Sequence, residues 1–213
     1  MLDALGREVD PHTTVSNPGE AVDIHVADSL SGLEAGPLRE ARAIADIGAG
    51  AGFPGVVLAI ALPRARVDMI ESSSRKCAVI DRLVKAAGMD HEVVRALPMR
   101  AEDWAAWGGR ELYDVVTARA VGPLAVLVEY AAPLLREGGT FIAWKGSADD
   151  AEAAAGARAA VEVGLEPEGV VETRPFAGVR DRRLYLYRKV GATPERFPRR
   201  PGVAVKRPLG SGG

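Results

Sequence analysis

A run of glycines follows an apolar segment in the first quarter of the chain, and its residue types indicate a ligand site. Residues 44–60 read IADIGAGAGFPGVVLAI, with apolar residues on both sides of the glycines. A glycine-rich turn between a strand and a helix lets the backbone turn sharply and approach a ligand closely, because no Cβ atom intervenes. Such a turn is typical of a site for a nucleotide-like cofactor.

The glycines match a dinucleotide fingerprint only in a literal sense. The pattern G-x-G-x-x-G occurs at Gly50, Gly52 and Gly55. The apolar strand, however, is expected to end directly before Gly48, which makes Gly48 the first glycine of the turn. Counted from there, the last position of the pattern is Phe53, so the match is interpreted as false.

What remains is D-x-G-x-G-x-G, formed by Asp46, Gly48, Gly50 and Gly52. A carboxylate at this turn is unfavourable beside a pyrophosphate but suits a cation, and S-adenosylmethionine carries a sulfonium, an ammonium and no phosphate. Glu71 ends the next predicted strand, about 20 residues later, where a carboxylate accepts hydrogen bonds from ribose hydroxyls. These five residues predict an S-adenosylmethionine site. The alternatives are that Asp46 caps the turn and that Glu71 is an exposed strand-end acid.

Strand and helix signals alternate along the chain and predict the fold class. Five strands are predicted at 41–47, 65–71, 91–97, 113–121 and 138–146, with helical patterns between them. Two further strands, at 169–176 and 182–190, follow each other without a helix. The pattern predicts an α/β protein with a Rossmann-like class I methyltransferase fold. Its seven-stranded sheet is expected to be mostly parallel, with an antiparallel hairpin at one edge.

Composition bounds the organisation of the chain. Its 213 residues predict one methyltransferase domain at 41–190, preceded by a short helical cap at 1–40 and followed by a Pro/Gly-rich arm at 191–213. The single cysteine, Cys77, excludes an internal disulfide and fits a reducing compartment. No signal-peptide pattern and no apolar run of roughly 20 residues are found. We therefore predict a cytoplasmic protein that does not associate with a membrane.

Charge is distributed unevenly, although the net charge is only −2. From Arg174 onward there are eleven basic residues and two acids, whereas the first 173 residues hold 16 basic residues and 27 acids. Such asymmetry is typical of a protein with a polyanionic partner. The alternative is a solvated basic tail.

The chain resembles the RsmG (GidB) family of bacterial 16S ribosomal RNA guanine-N7 methyltransferases from about residue 15 to 210. The loop with Phe53-Pro54-Gly55 is similar to the cofactor loop of that family. Other motifs similar to the family's occur in the same order: HVADSL, ESSSRKCAVI, RAEDW, TARAVGPL, WKG and FPRRPGVAVKRPLG. The resemblance implies transfer of a methyl group from S-adenosylmethionine to guanine N7 in 16S rRNA of the small ribosomal subunit.

Carried over by position, the resemblance implies cofactor contacts at Gly48, Phe53, Ala101, Glu102 and Arg119. Ala101 and Glu102 follow the third predicted strand, and Arg119 follows the fourth, on the side where ligands of open α/β sheets bind. For Phe53 the alternative is packing at the start of a helix. For Arg119 the alternative is a surface salt bridge.

Candidate RNA contacts lie outside the glycine loop. His25 and Asp28 are three residues apart on a predicted helix, so they share one face; the alternative is a buried capping pair. Lys145 ends the fifth predicted strand and is a candidate phosphate contact, with a solvated lysine as the alternative. These residues are predicted, with the C-terminal arm, to bind rRNA.

The C-terminal arm carries cations separated by prolines and glycine. Arg199, Arg200 and Lys206 are predicted to contact RNA phosphates, because the prolines are expected to hold the segment extended and away from the acidic body. The alternative is that the arm packs on the sheet edge of the protein itself.

No acid–base pair is assigned, because guanine N7 has an in-plane lone pair and loses no proton when it is methylated. His12, His91 and Cys77 lack metal-ligand spacing, so no metal is predicted. A monomer is expected. Two other functions remain open: an NAD-type dinucleotide-binding oxidoreductase and a non-catalytic RNA-binding protein on a methyltransferase fold.

Overall fold

The computed structural model describes every residue except 9, 12, 14, 16, 147, 148, 180 and 211–213. Within that part of the chain, a seven-stranded sheet forms the centre of the molecule. Its strands are β1 (Ala43–Ile47), β2 (Arg66–Ile70), β3 (Val94–Leu97), β4 (Tyr113–Arg119), β5 (Leu135–Lys145), β6 (Leu165–Thr173) and β7 (Arg182–Lys189).

Helices connect the strands and cover both faces of the sheet. The N-terminal ones are α1 (Leu2–Gly6), α2 (Pro18–Ala21), a π-helical stretch Val22–Ala27, α3 (Asp28–Leu30), a 3-10 turn Ser31–Glu34 and α4 (Gly36–Glu40). The others are α5 (Gly55–Ala61), α6 (Ser74–Ala86), α7 (Ala101–Trp107), α8 (Leu124–Ala131), α9 (Asp150–Glu162) and α10 (Val203–Lys206).

The strand order is β3-β2-β1-β4-β5-β7-β6. The first five strands of this order are parallel, and β7 runs antiparallel to both β5 and β6. Strands β2 and β3 are added on one side of β1, whereas β4 and the later strands lie on its other side. The order of the strands therefore reverses between the parallel neighbours β1 and β4, and this is the position at which open α/β sheets bind ligands. The predicted fold class, with its antiparallel edge hairpin, is confirmed.

Several strand boundaries differ from the sequence prediction by two to four residues, and β6 shows the largest shift because it begins at Leu165 instead of residue 169. Strand β3 begins at Val94 instead of residue 91, because Asp90 closes a local turn: its carbonyl accepts from Val94 N at 2.9 Å and its side chain accepts from Glu92 N at 2.9 Å. Strand β5 begins at Leu135, three residues early. Gly138 lies within it at φ +75°, a conformation that glycine adopts without strain.

The core has one part on each face of the sheet. Helices α7, α8 and α9 pack on one face, where Leu124, Leu127 and Val128 are buried against the central strands. Helices α4, α5 and α6 pack on the other face. The stripe predicted for α6 points inward, with Ile80 and Val84 buried, and Gly88 follows this helix at φ +70° as the predicted C-cap.

The N-terminal helical segments lie against the end of β5. The indole N–H of Trp144 donates to the carbonyl of Asp28 at 3.0 Å. A Cβ atom at Gly32 would overlap the ring of Trp144, so this position requires glycine for close packing. The predicted helical character of the region before β1 is therefore present.

The C-terminal arm folds back on the body, contrary to the expectation of an extended segment. Phe197 and Ala204 are buried in the core of the α7–α9 face. The Arg110 guanidinium donates to the carbonyls of Thr193 at 2.7 Å and Phe197 at 2.8 Å. Prolines restrict the arm, but its apolar side chains and satisfied carbonyls hold it in place.

Candidate active site

The loop after β1 has the backbone geometry that its glycines permit. Gly48, Gly50 and Gly52 have φ values of +65°, +58° and +97°. The N–H of Gly48 donates to the carbonyl of Ile70 at 2.8 Å, which ties the loop to the end of β2. A Cβ atom at Gly48 would lie 2.7 Å from a methyl carbon of Val121. The loop is thus a close-packed cradle that a side chain at Gly48 would fill.

Asp46 has a different role from the one predicted. Its side chain is 0% exposed, and it accepts hydrogen bonds from Gly55 N at 2.9 Å and from the Thr117 hydroxyl at 2.9 Å. Burial raises the pKa of this carboxyl to about 7, although both hydrogen bonds oppose the shift. The prediction that Asp46 presents its carboxylate to a cationic ligand is wrong, because the carboxyl group lies inside the protein and anchors the start of α5.

Glu71 sits where the sequence predicts a ligand contact. Its carboxylate accepts from Gly50 N at 3.1 Å and from Ser73 N at 2.9 Å. With 6% of the residue exposed, it is not the exposed strand-end acid of the alternative interpretation. The two N–H donors fix the carboxylate between the ends of β1 and β2, with lone pairs to spare for a ligand.

A cavity opens beside Glu71 at the carboxyl ends of β1, β2 and β3. Its lining residues are Ile47, Gly48, Ile70, Glu71, Ser72, Met99, Arg100, Ala101, Glu102, Val121 and Tyr130. Sequence reasoning missed several of these. Met99 and Val121 follow strand ends and carried a positional signal, whereas Tyr130 reaches the cavity from α8 and carried none.

The Glu102 side chain holds neighbouring elements together. Its carboxylate accepts from Gly202 N of the arm at 3.2 Å. It also bonds the Tyr130 hydroxyl, whose pKa is raised to about 12, first by burial and then by the charge of Glu102. Glu102 therefore joins α7, α8 and the arm next to the cavity.

His25 and Phe53 form a stacked pair inside the protein. Their ring centroids are 4.4 Å apart with 10° between the planes. His25 Nε2 lies 2.9 Å from the Thr13 hydroxyl and 3.0 Å from the Val15 carbonyl, and burial lowers the pKa of its imidazole. The prediction of His25 as an RNA contact is wrong in this structure, since its ring is enclosed by protein groups. Phe53 packs as its alternative interpretation proposed.

Asp28 joins two arginines from different strands. Its carboxylate lies 2.7 Å from Arg119 Nη1 and 2.7 Å from Arg182 Nε, and only 1% of the residue is exposed. Arg119 also donates to the Ile24 carbonyl at 3.2 Å. The prediction that Asp28 contacts RNA is wrong, because its carboxylate is enclosed by these arginines. Arg119 matches its salt-bridge alternative, although the bridge is largely buried.

Lys145 is also engaged within the protein. Its ammonium lies 2.6 Å from Glu152 and donates to the Gly122 carbonyl at 3.2 Å. Neither the predicted phosphate contact nor the solvated alternative describes it. The pair connects the end of β5 to the start of α9.

The three arm cations divide into two kinds. Arg199 forms a two-point ion pair with buried Glu129, with Nε 2.6 Å from Oε1, which favours the alternative that the arm packs on the protein itself over the predicted RNA contact. Arg200 and Lys206 are exposed and form no ion pair within the described part of the chain. For these two residues, RNA contact stays a prediction.

Known proteins are similar to this chain in sequence over most of its length. The family model for rRNA small subunit methyltransferase G matches residues 11–176. The chain belongs to this family. Ribosomal RNA small subunit methyltransferase G of Pelotomaculum thermopropionicum is 41% identical over 199 residues, which are 92% of this chain and 82% of the relative. That of Rubrobacter xylanophilus is 42% identical over 193 residues, 89% of this chain and 73% of the relative.

Solved structures share the fold at low sequence identity. Mitomycin 7-O-methyltransferase MmcR has a TM-score of 0.64 at 15% identity, over 89% of this chain and 60% of that one. A mutant of MtNAS in complex with S-adenosylmethionine has a TM-score of 0.61 at 16% identity, over 89% of this chain and 70% of that one. At these identities the similarity concerns the fold alone.

Three further features concern metal ligands, membrane-spanning helices and the single cysteine. Among the described residues, no group of three or more His, Cys, Asp or Glu side chains is arranged to hold a metal; His12 lies outside those residues. No helix in the described part of the chain is long and apolar enough to cross a membrane. Cys77 is buried, and burial raises the pKa of its thiol to about 11.

Proposed function

We propose that this chain transfers the methyl group of S-adenosylmethionine to N7 of a guanine in 16S rRNA of the small ribosomal subunit. Family membership supports an rRNA methyltransferase, and the sheet topology supports a cofactor site between β1 and β4. The observation that carries the proposal is Glu71, fixed by Gly50 and Ser73 at the mouth of the cavity.

The residues around the cavity fit a nucleoside with a cationic side chain. The remaining lone pairs of the Glu71 carboxylate suit two ribose hydroxyls. Ile47, Ile70, Met99 and Ala101 supply apolar surface for an adenine ring. The backbone at Gly50 is open, since a Cβ atom there would meet only the Gly48 carbonyl oxygen at 3.9 Å, and it leaves room for the part of the cofactor nearest the loop.

The dinucleotide alternative is disfavoured by the start of α5. A pyrophosphate in a dinucleotide site binds backbone N–H groups at the N-terminus of the first helix. Here the N–H of Gly55 already donates to Asp46, whose carboxyl group holds the position that an anion would take. A pyrophosphate oxygen at this point would lie against the carboxyl oxygens of Asp46.

The reaction requires the protein to position the guanine base and the cofactor, and it requires no proton transfer to a side chain. When bound, the cofactor supplies an electrophilic methyl group on its sulfonium. Guanine N7 presents an unprotonated lone pair, so no side chain must remove a proton before the bond forms. The tasks left to the protein are to align the base and to exclude water. The Phe53–His25 stack and the Arg119–Asp28 pair hold the N-terminal helical segments against the loop after β1 and the end of β4.

The non-catalytic alternative receives no support from the loop. A protein that only bound RNA would have no use for the glycine cradle or for the fixed carboxylate of Glu71. Arg200 and Lys206, exposed on the arm, are retained as proposed phosphate contacts. A monomeric state and a cytoplasmic location remain our expectations for an enzyme that acts on ribosomal subunits.

Titration calorimetry with S-adenosylmethionine and with NAD tests the cofactor assignment. We expect the wild type to bind S-adenosylmethionine, and Glu71→Ala to lose about 1–3 kcal/mol of binding free energy because ribose hydroxyls lose their acceptor. Glu168→Ala, at an exposed position of the sheet edge, is the control and should bind as the wild type does. Tight binding of NAD without S-adenosylmethionine would overturn the assignment.

Methylation of ribosomal subunits tests the substrate. Small subunits from cells that lack this gene are incubated with enzyme and S-adenosylmethionine, and the 16S rRNA is analysed by mass spectrometry of its nucleosides. We expect one new 7-methylguanosine. A methyl group on another atom or on protein would contradict the proposal.

A further inference from the structure

A second cavity lies at the tip of the β6–β7 hairpin, and none of the predicted cofactor-binding residues lines it. Its volume is about 640 Å³, and Thr173, Arg174, Phe176, Arg182 and Arg183 contribute to its wall. This volume is in the range of about 300–1,000 Å³ that is typical of small-molecule sites. This cavity shares no lining residue with the cavity beside Glu71.

The cavity lies at the same edge of the sheet as the active site. Arg183 pairs in register with Lys145 at the end of β5, so the hairpin tip is beside the carboxyl ends of the parallel strands. Arg182 reaches Asp28, which also binds Arg119 at the end of β4. The cavity beside Glu71 lies at the ends of β1, β2 and β3 and extends to Val121 after β4, so the hairpin flanks the part of the edge that remains for substrate.

One buried polar atom in the cavity wall lacks a partner. Thr173 is 4% exposed, and its hydroxyl oxygen makes no hydrogen bond with any described residue. Buried polar groups are nearly always hydrogen-bonded, so this hydroxyl has hydrogen-bonding capacity that the described residues leave unused. It is the same residue that ends β6 and lines the cavity.

The chemistry of the wall is cationic and aromatic. Arg174 is exposed and forms no ion pair within the described residues. Arg183 faces Glu172 at 3.3 Å across exposed surface, a contact that a stronger anion can replace. Arg182 is paired with Asp28 and Arg183 with Glu172, so Arg174 is the arginine of the described lining that is left without an ion pair. Phe176 adds an aromatic face without a ring partner among the described side chains.

We propose that this cavity binds one nucleotide of the rRNA strand adjacent to the target guanine. Its phosphate is held by Arg174 and Arg183, its base stacks on Phe176, and Thr173 supplies a hydrogen bond. Sequence-specific RNA binding targets unstacked bases of single-stranded segments, which stack on aromatic side chains. An enzyme that acts on one base must also hold the neighbouring nucleotides. This inference rests on the proposed function, since it assumes an RNA substrate.

Binding to deproteinised 16S rRNA at several salt concentrations tests the phosphate contact. We expect Arg174→Ala to flatten the log–log salt slope by roughly 0.7–0.9, the value for one phosphate contact. Arg64→Ala removes an exposed arginine in the loop between α5 and β2 and should leave the slope unchanged. An Arg174→Ala slope equal to that of the wild type would overturn the proposal.

Methylation kinetics with small subunits test the base contact. Phe176→Ala is expected to raise KM for subunits several-fold and to leave S-adenosylmethionine affinity unchanged. Phe176→Trp keeps an aromatic ring at this position and is expected to have the KM of the wild type. If KM for subunits rises but rRNA binding does not change, the cavity contacts a ribosomal protein and the RNA assignment is wrong. If the wild type methylates no subunit, the proposed function fails; if the wild type and all variants methylate equally, only this inference fails.

Discussion

The edge of the sheet where the parallel strands end has two chemically different halves. The half formed by β1, β2 and β3 presents backbone N–H groups, glycines at positive φ and one fixed carboxylate, Glu71. The half formed by β4, β5, β7 and β6 presents the cations Arg119, Lys145 and Arg182. One half suits a nucleoside with a positive charge, and the other is built around pairs of cations and carboxylates.

The cations at the strand ends themselves are already paired within the protein. Arg119 and Arg182 share Asp28, and Lys145 pairs with Glu152. Exposed cations without an ion pair among the described residues lie further out, such as Arg174 on the hairpin and Arg200 on the arm. A cation at a strand end therefore joins elements of the fold, and the cations beyond the strand ends are the ones left exposed for the proposed rRNA contact. Substitutions of paired and of exposed cations test this division.

The largest loss of stability is expected at Asp28, which holds together the half of the edge formed by β4, β5, β7 and β6. Asp28→Ala leaves Arg119 and Arg182 without their shared carboxylate in a largely buried position, and breaking such a buried pair costs about 3–5 kcal/mol. Urea denaturation measures the loss. Asp23→Ala, an exposed acid of the same helical segment, is the control and should change stability by less than about 0.5 kcal/mol. A loss from Asp28→Ala as small as that of the control would show that the arginines find other partners.

Two adjacent arginines of the arm should separate stability from RNA binding. Arg199→Ala leaves the buried carboxylate of Glu129 unpaired, and we expect a loss of about 3 kcal/mol in unfolding free energy. Arg200→Ala should change stability by less than about 0.5 kcal/mol, because its side chain is exposed. In RNA binding, Arg200→Ala should flatten the salt slope by roughly 0.7–0.9.

The opposite pattern would reject the division between paired and exposed cations. If Arg199→Ala kept its stability and weakened RNA binding, the Glu129 pair would be dispensable and the arm would present Arg199 to RNA. Denaturation and rRNA titration of the same two preparations distinguish these results.

The fold was predictable because its determinants are local. Alternating apolar runs, the glycine turn after the first strand and the absence of a helix between the last two strands each act over a few residues. Glu71 was predictable for the same reason, since its position at a strand end determines which edge of the sheet it reaches.

The pairing of charged side chains was not predictable from local pattern. Asp28 and Arg119 are 91 residues apart, and Arg199 and Glu129 are 70 apart. Whether such residues meet each other or solvent depends on tertiary packing, which residue type and spacing do not encode. Asp46 illustrates a further limit: its position at the turn was predicted correctly, but the inward direction of its side chain was not.

The buried carboxyl group of Asp46, in strand β1, makes the stability of the protein depend on pH. In the unfolded chain the carboxyl loses its proton near its ordinary pKa of 3.8, whereas in the folded protein it keeps the proton until about pH 7. The folded state thus binds more protons between these values, so its stability falls as pH rises through this window, by about 1.4 kcal/mol per pH unit.

Asp46→Asn should remove this dependence. The amide oxygen can accept from Gly55 N, and the amide nitrogen can donate to the Thr117 hydroxyl, so both hydrogen bonds of Asp46 are retained. We expect urea denaturation at pH values from about 5 to 8 to show that the unfolding free energy of the variant rises relative to that of the wild type up to about pH 7. Above that pH the difference is expected to stay constant. A constant difference across the series would mean that Asp46 stays charged in the fold.

The smallest effect compares two glycines of the cofactor loop. Gly48→Ala and Gly50→Ala both place a side chain at positive φ, which costs about 1 kcal/mol for an L-residue. Only at Gly48 does the new Cβ also meet Val121, at 2.7 Å, whereas at Gly50 its nearest neighbour is the Gly48 carbonyl oxygen at 3.9 Å. Val121 lines the cofactor cavity, so its displacement narrows the cavity.

We therefore expect Gly48→Ala to lose at least as much stability as Gly50→Ala and to lose more S-adenosylmethionine affinity. Gly48→Ala should bind the cofactor about tenfold more weakly than Gly50→Ala, a difference of about 1.4 kcal/mol in titration calorimetry. Gly48→Ala combined with Val121→Ala should recover most of that difference, because the methyl groups that meet the new Cβ are gone. If the double variant binds no better than Gly48→Ala, the strained backbone and not the narrowed cavity limits binding, and the loop acts on the cofactor through its conformation alone.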